Sequence, residues 1–293
     1  MITPEQFDDK WKQKIDAYYD RPDFTDYWAF DSQKAWRKYV TGVDRQLEHA
    51  RLVEHWLNLS DSKVLVIGSN LGDEAIAYSL RGAEVIGIDL DPLAIQLAKE
   101  KASLYGVGTS FLYMDGCHTQ FGDHEFDFIS CAQVLEHLPP GDQQPMMEEM
   151  WRLCKPGGHI WLDTPNQFSW KDHHDTGLPF IHWLPRVIKV PLASLLGRAV
   201  PTSEPAFKGE AVLLHHYLSY FQVNAMLSTL GSYQILSMYR GFADMNHYEQ
   251  SRLRQGRGNG PLFSIKVWLL TRIFRFWNHA WFTGMRLMIL KQH

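Results

Sequence analysis

Two places in this sequence set a carboxylate beside imidazoles. Glu136 and His137 are adjacent in Val134-Leu135-Glu136-His137-Leu138, and His173, His174 and Asp175 form a run within a segment rich in Pro, Trp and His. An imidazole changes charge near neutral pH, so it suits the taking and giving of a proton. The same side chains suit a divalent ion. Hard ions such as Mg²⁺ prefer oxygen, so a histidine-rich set would favour Zn²⁺ or Mn²⁺; the proton reading is preferred, and no metal is expected. Two further acids sit in different surroundings. Asp89 and Asp115 each follow a short apolar run, and Asp89 lies about 20 residues beyond the loop Gly68-Ser69-Asn70-Leu71-Gly72. A strand, a glycine loop, a helix and a second strand ending in an acid bring backbone amides and a carboxylate to one edge. That arrangement holds the nucleoside part of a cofactor.

The elements that must position these groups alternate in type. Val64–Ile67 reads as a buried parallel strand, Asp73–Arg81 as a helix stopped by Gly82, and Glu84–Ile88 as a second strand ending in Asp89. Pro92 opens a helix through Ala102, at a position where its missing N–H costs nothing. Ser110–Tyr113, Phe126–Cys131 and His159–Asp163 read as strands three to five, with a helix over 144–154 stopped by Lys155-Pro156-Gly157-Gly158. This alternation predicts an α/β fold: a doubly wound, mostly parallel sheet covered on both faces. Residues 164–214 interrupt it, and a connection so long and so aromatic reads as a functional insertion. A helix over His215–Leu230, a strand over Tyr233–Tyr239, a polar loop over 241–260, an apolar helix over 262–282 and a strand over Met285–Leu290 follow. The expected sheet has seven strands, the last antiparallel. Residues 1–60 read as a helical N-terminal cover, with Leu47, Ala50, Val53 and Leu57 at helical spacing. Residues 61–293 read as the main domain, with 164–214 as a lid and 241–283 as a loop and apolar helix inserted before the last strand.

With 293 residues, 45% of them hydrophobic, the chain can bury a sizeable core, and its net charge of −4 argues against nucleic acid as a partner. Cys117, Cys131 and Cys154 show no C-x-x-C spacing, so neither a disulfide framework nor a cysteine zinc site is suggested. The polar start, MITPEQFDDKWKQK, is unlike a signal peptide, and no uncharged apolar run reaches about 18 residues. The expected location is cytoplasmic. The helix over 262–282 carries a wide apolar arc with Lys266, Arg272 and Arg275. It reads either as buried, as the seam of a homodimer, or as a peripheral contact with the inner face of a membrane.

The loop narrows the choice of cofactor. A dinucleotide fingerprint places glycine at positions occupied here by Gly68, Asn70 and Asp73, so the second and third glycines are absent. No Gly-Lys-Ser/Thr of a phosphate-binding loop occurs either. The motifs VLVIGSNLG, GIDLD, YMDG, FDFISCAQVLEHL and LCKPGGHIWLDTPN, in that order, resemble the class I S-adenosylmethionine-dependent methyltransferases. More narrowly, the chain is similar to the group containing the ubiquinone-biosynthesis and sugar O-methyltransferases. The resemblance covers roughly residues 60–165 plus HHYLSYFQVNAMLSTLG. The chain departs from it at Val66, where an acid is common, and at Asn70, where a second glycine is common.

The resemblance implies S-adenosylmethionine as cofactor and an O-methyltransferase acting on a small-molecule, glycan or lipid-linked hydroxyl. N- or C-methylation, or a scaffold that kept the fold without catalysis, are the rival readings. By resemblance, Gly68, Ser69, Asn70 and Gly72 hold the methionine end, Asp89 with neighbouring Leu90 the ribose, and Asp115, Gly116 and Cys117 the adenine. Gln133 lies against the methionine moiety. Methyl transfer needs positioning of the acceptor and removal of its proton. Glu136 and His137, at the carboxyl edge of the fourth strand, and His173 and His174 in the insertion are the candidate catalytic groups. Asn166, His182 and His216 are candidates for contact with the acceptor.

Overall fold

The computed structural model describes residues 9–21, 36, 39–169, 171–172, 176–197, 215–236 and 284–293. Helix α1 (Asp9–Tyr19) and helix α2 (Gly42–Val53) precede the sheet. Strand β1 (Lys63–Ile67) is apolar at four consecutive positions because both of its faces are covered. Val64 and Val66 join one buried cluster with Val85, Phe128 and Trp161. Leu65 and Ile67 join another with Ile129, Cys131, Ile160 and Leu162.

Helix α3 (Asp73–Leu80) follows β1, and β2 (Glu84–Asp89) pairs with β1 in parallel from Lys63↔Glu84 to Ile67↔Ile88. Helix α4 (Pro92–Tyr105) starts as expected with Pro at its first position and runs three residues beyond Ala102. Its cap is Asp91, whose Oδ1 accepts from Leu93 N–H at 2.9 Å and Ala94 N–H at 3.3 Å. Strands β3 (Ser110–Tyr113) and β4 (Phe126–Ala132) come next. Helix α5 (Pro140–Leu153) begins four residues earlier than its apolar spacing suggests, because Pro140 supplies the start. Lys155-Pro156-Gly157-Gly158 does not end that helix as a turn. It lies inside β5 (Cys154–Pro165), where the pairing with β4 shifts register between Phe126 and Phe128. Helix α6 (Arg186–Leu195), helix α7 (Tyr220–Ser228), β6 (Tyr233–Leu236) and β7 (Gly284–Lys291) complete the described chain.

The sheet order is β3-β2-β1-β4-β5-β7-β6, with β7 antiparallel to both β5 and β6. Seven strands with the last reversed is the topology the alternation predicts. Lys291 fastens β7 in place: its Nζ, in a side chain 6% exposed, donates to the carbonyls of Trp151 at 2.7 Å and Cys154 at 2.8 Å.

The helix expected over His215–Leu230 begins only at Tyr220. Ser219 and Gln222 form a capping box there, each side chain bonded to the other residue's backbone N–H, so residues 215–218 lie outside the helix, with Leu218 bridged to Asn166. The N-terminal cover docks through α1. Tyr18 hydroxyl donates to Asp91 at 3.0 Å, and Arg21 reaches the same carboxylate at 2.7 Å. Buried Lys101 bonds Asp73 and the Tyr39 carbonyl. The expected loop and apolar helix over 241–283 lie outside the described residues, as do residues 198–214 of the expected lid.

Candidate active site

Strand order reverses between β1 and β4, so the loops leaving their carboxyl ends open a crevice there. The two loops touch. A Cβ placed on Gly68 would sit 2.4 Å from Val134 Cγ2, and Gly68 has φ +69, so glycine meets both a conformational and a steric demand. Asn70, where a second glycine is common in the resembling family, adopts φ +46. Asparagine tolerates this left-handed region, so the turn survives the replacement. Val66, the other departure, is 1% exposed within the sheet's packing.

The loop's amides are largely spent on the chain itself. Ser69 N–H donates to Ile88 carbonyl at 2.9 Å, Asn70 N–H to Asp89 Oδ2 at 2.7 Å, Leu71 N–H to Asn70 Oδ1 at 2.7 Å, and Gly72 N–H to Ser69 carbonyl at 2.9 Å. Such a loop offers no row of amides to a pyrophosphate, which agrees with the missing dinucleotide glycines. Asp73, the acid opening α3, faces Lys101. Ser69 packs beneath the loop, close enough that a Cβ on Gly87 would stand 2.9 Å from its own, and its hydroxyl is buried without a partner among the described residues.

Asp89 ends β2, followed by Leu90. Its Oδ2 takes Asn70 N–H and its Oδ1 takes Asp91 N–H at 2.9 Å. Burial pushes its pKa above the usual carboxylate range, against the pull of those amides. The Leu90 N–H is a third backbone donor to this carboxylate, and with about four acceptor positions the group retains capacity for a hydroxyl. Asp115 stands past β3, with Oδ1 accepting Cys117 N–H at 2.9 Å and Oδ2 3.7 Å from His118 Nδ1. Gly116 runs close to Ile67 and Met146. Gln133 leaves β4 with φ +58, its N–H on Asp163 carbonyl at 2.6 Å and its Nε2 3.2 Å from Asp163 Oδ1.

A second group lies past Val134. Glu136 and His137 belong to a short 3₁₀ turn, Leu135–His137. Glu136 is 0% exposed. Its Oε2 accepts the Thr164 hydroxyl at 3.0 Å, whereas Oε1 is buried with no partner among the described residues. Burial raises its pKa, and the neighbouring His137 and His215 oppose that rise. The turn is clamped by residues far along the chain. His216 N–H donates to Glu136 carbonyl at 2.8 Å, and Gln143 Nε2 donates to the carbonyls of Leu135 and His216, each at 3.0 Å. His215 Nε2 lies 3.0 Å from His137 Nδ1.

Of the acceptor-side candidates, Asn166 is fully buried. It forms a parallel bridge with Leu218, and its Oδ1 accepts Phe168 N–H at 3.0 Å. His182 is held by its own segment: Nε2–H donates to Ser169 carbonyl at 2.9 Å, its ring tilts on Tyr217, and burial lowers its pKa. His215 and His216 do not start a helix; they lie in the strip before Ser219, because the capping box starts α7 later. His173, His174 and Asp175 lie outside the described residues. One organising residue escapes the sequence reading. Asp172, 2% exposed, accepts the Tyr217 hydroxyl at 2.6 Å and both the N–H and hydroxyl of Thr176, tying the insertion to the 215–218 strip. Its only sequence signal is an Asp four residues before a Thr.

Residues 65–162 match the family described as "Methyltransferase domain". Over 110 residues the chain is 32% identical to the ubiquinone biosynthesis O-methyltransferase of Pectobacterium carotovorum, covering 37% of this chain and 45% of that protein. Over 149 residues it is 32% identical to the demethylmenaquinone methyltransferase of Deinococcus radiodurans, covering 50% and 61%. The match thus spans about half the length of these relatives. Among solved structures, N-methyltransferase 2 of Haemonchus contortus, in complex with phosphomonomethylethanolamine and S-adenosylhomocysteine, shares the fold with a TM-score of 0.53 at 13% identity. That likeness covers 95% of this chain and 60% of that one. With its sheet order, its β1 loop and its five motifs in sequence, the stretch 65–162 is a class I S-adenosylmethionine-dependent methyltransferase domain.

Proposed function

We propose that the protein catalyses S-adenosylmethionine-dependent methylation of a hydroxyl group on a small-molecule, glycan or lipid-linked acceptor. The observation that carries this reading is the left-handed Gly68–Gly72 loop closed onto Asp89 by the Asn70 N–H, an arrangement suited to a nucleoside whose linker is not a pyrophosphate. In the proposed site Gly68, Ser69, Asn70, Gly72 and Gln133 surround the methionine end, Asp89 and Leu90 the ribose, and Asp115, Gly116 and Cys117 the adenine. The cofactor supplies an activated methyl group on a sulfonium. His137 takes the acceptor's proton, and Glu136 stabilises the imidazolium that results. Residues 61–293 act as one methyltransferase domain covered by 1–60, with 164–214 closing over the acceptor and excluding water. Oxygen as the acceptor atom is supported by the similarity to the O-methyltransferase of Pectobacterium carotovorum.

A lipid-linked acceptor is supported by the insertion's surface, where Phe180, Trp183, Val187 and Ile188 are exposed. No helix among the described residues is long and apolar enough to cross a membrane. Titration calorimetry with S-adenosylhomocysteine tests the central reading. Binding is expected, and Asp89→Ala is expected to weaken it by about 10–100-fold, the worth of hydrogen bonds to a charged group. No binding, or binding indifferent to Asp89→Ala, would leave the scaffold reading standing.

A further inference from the structure

The carboxylate absent at Val66 is supplied by another element. Val66 stands opposite Ser130 in the parallel pairing of β1 with β4. Val66 joins the buried cluster of Val43, Ala75 and Phe128, on the face of the sheet that packs on α2 and α3. Ser130 lies two residues beyond Phe128 on the same strand and so shares that face. An acid at position 66 would therefore project beside Ser130. Glu74, in the first turn of α3, reaches the same place from the other side of the loop. Its Oε1 accepts the Ser130 hydroxyl at 2.7 Å and the Tyr78 hydroxyl at 2.7 Å. Both donors are fully buried, whereas Glu74 itself is only partly so.

Two hydroxyls on one oxygen fix the carboxyl group and occupy half of it. Among the described residues, Oε2 takes no hydrogen bond and Glu74 makes no ion pair. The charged groups around it are engaged or neutral. Asp73, the neighbouring acid, is held by Lys101. Arg286 lies against Asp163, with Nε 3.1 Å from Oδ2. Burial lowers the pKa of the nearby His49 ring, against the pull of Glu74 and Asp163, so no imidazolium balances Glu74 near neutral pH. Glu74 lies two residues past Gly72, and Ser130 three residues before Gln133, both of which the proposed site places at the methionine end. That end of S-adenosylmethionine carries an ammonium, a donor of the charge and valence that Oε2 lacks.

We propose that Glu74 is a further cofactor-binding residue, whose Oε2 receives the ammonium of the methionine end, so that the departure at Val66 removes no charge from the site. This role deepens the proposed function and rests on its placing of the methionine end at the β1 loop. Ser130 and Tyr78 are the positioning residues: by holding Oε1 they turn Oε2 toward the ligand. Because Glu74 follows the loop directly, the group that reads the ammonium moves with Gly68–Gly72 and not with the distant strip that holds Glu136.

Calorimetry on the full chain with two ligands tests it: S-adenosylhomocysteine, and 5′-S-(3-carboxypropyl)-5′-thioadenosine, which lacks only the ammonium. Glu74→Gln keeps an oxygen for Ser130 and Tyr78 and puts an amide nitrogen where Oε2 stood. It is expected to weaken S-adenosylhomocysteine by about 10–100-fold, the worth of a hydrogen bond to a charged group. The deaminated ligand should stay within about twofold of its affinity for the unmodified protein, as independent changes do. Equal weakening of both ligands would make Glu74 a support of the fold, and no weakening of either would put the ammonium elsewhere; each overturns the proposal. Should Glu74→Gln fail to fold, Glu74→Asp, which withdraws the charge by one methylene, is read by the same comparison. Binding of S-adenosylhomocysteine that responds to Asp89→Ala and not to Glu74→Gln overturns this role alone. An unmodified protein that binds neither ligand overturns it together with the cofactor reading.

Discussion

The loop after β1 and the turn after β4 meet at Gly68 and Val134, but they are built differently. On the β1 side, the loop, Asp89 and the Asp91 cap are joined by hydrogen bonds within the stretch 69–94. On the β4 side, Glu136 and His137 are bonded to Thr164, Gln143 and the strip 215–216. Polar satisfaction differs too: each Asp89 oxygen has a donor, whereas Glu136 Oε1 is buried with none among the described residues. The side that would hold a common nucleoside is specified locally. The side that would choose the acceptor is assembled from distant pieces and can change with them while the loop stays intact.

If the two sides are separable, the largest single effect should fall on one alone. His137→Ala is expected to lower turnover on a hydroxyl acceptor by about 10²–10⁴-fold, the usual worth of a general base, with S-adenosylhomocysteine affinity unchanged by calorimetry. Loss of both together would join the two sides into one. Gly68→Ala probes their seam. A methyl there meets Val134 in a left-handed backbone, so a loss of about 2–4 kcal/mol in urea unfolding is expected; Val134→Ala combined with it should recover part of that loss.

The cover should respond to acid independently of either side. Burial alone would raise the Asp91 carboxyl, but Arg21, the Ala94 N–H and the Tyr18 hydroxyl together hold it below the usual carboxylate range. A lowered folded pKa means stability fully present above the ordinary value of about 4 and lost as pH falls through the folded one. Asp91→Ala, which removes a cap and a partly exposed ion pair, should cost about 1–2 kcal/mol at pH 7. The difference from the unmodified protein should shrink in unfolding curves taken toward pH 3. The smallest effect concerns the loop's departure from glycine. Asn70→Gly should change stability by less than about 0.5 kcal/mol, whereas Asn70→Ala should cost about 1 kcal/mol, because alanine lacks the side-chain carbonyl that receives Leu71 N–H and resists φ +46.

The same contrast governs what could be read in advance. The unit from Val64 to Asp91 was legible because its signals are neighbours: four apolar residues, a glycine loop, an acid, and Pro92 at a helix start. Lys155-Pro156-Gly157-Gly158 looked like a turn because Pro and Gly usually stop elements, yet a register shift let the strand carry them. The helix over 215–230 was placed too early because Leu218, Val223 and Leu227 keep an apolar rhythm across the boundary. Ser219 and Gln222 held the correcting signal in their spacing. The pairing of His137 with His215 had no local trace, since it depends on Asn166 meeting Leu218 across the end of β5.

The position of β7 has a consequence for how the chain is made. It lies between β5 and β6 and pairs with both. About 120 residues separate the end of β5 from its start, and at about 5–20 residues per second a ribosome takes on the order of ten seconds to bridge them. Throughout that interval the apolar edge of β5 has no neighbour on its outer side, a ready template for pairing with another nascent chain. The order of synthesis thus leaves β5 without its β7 partner until residues 284–291 have been made.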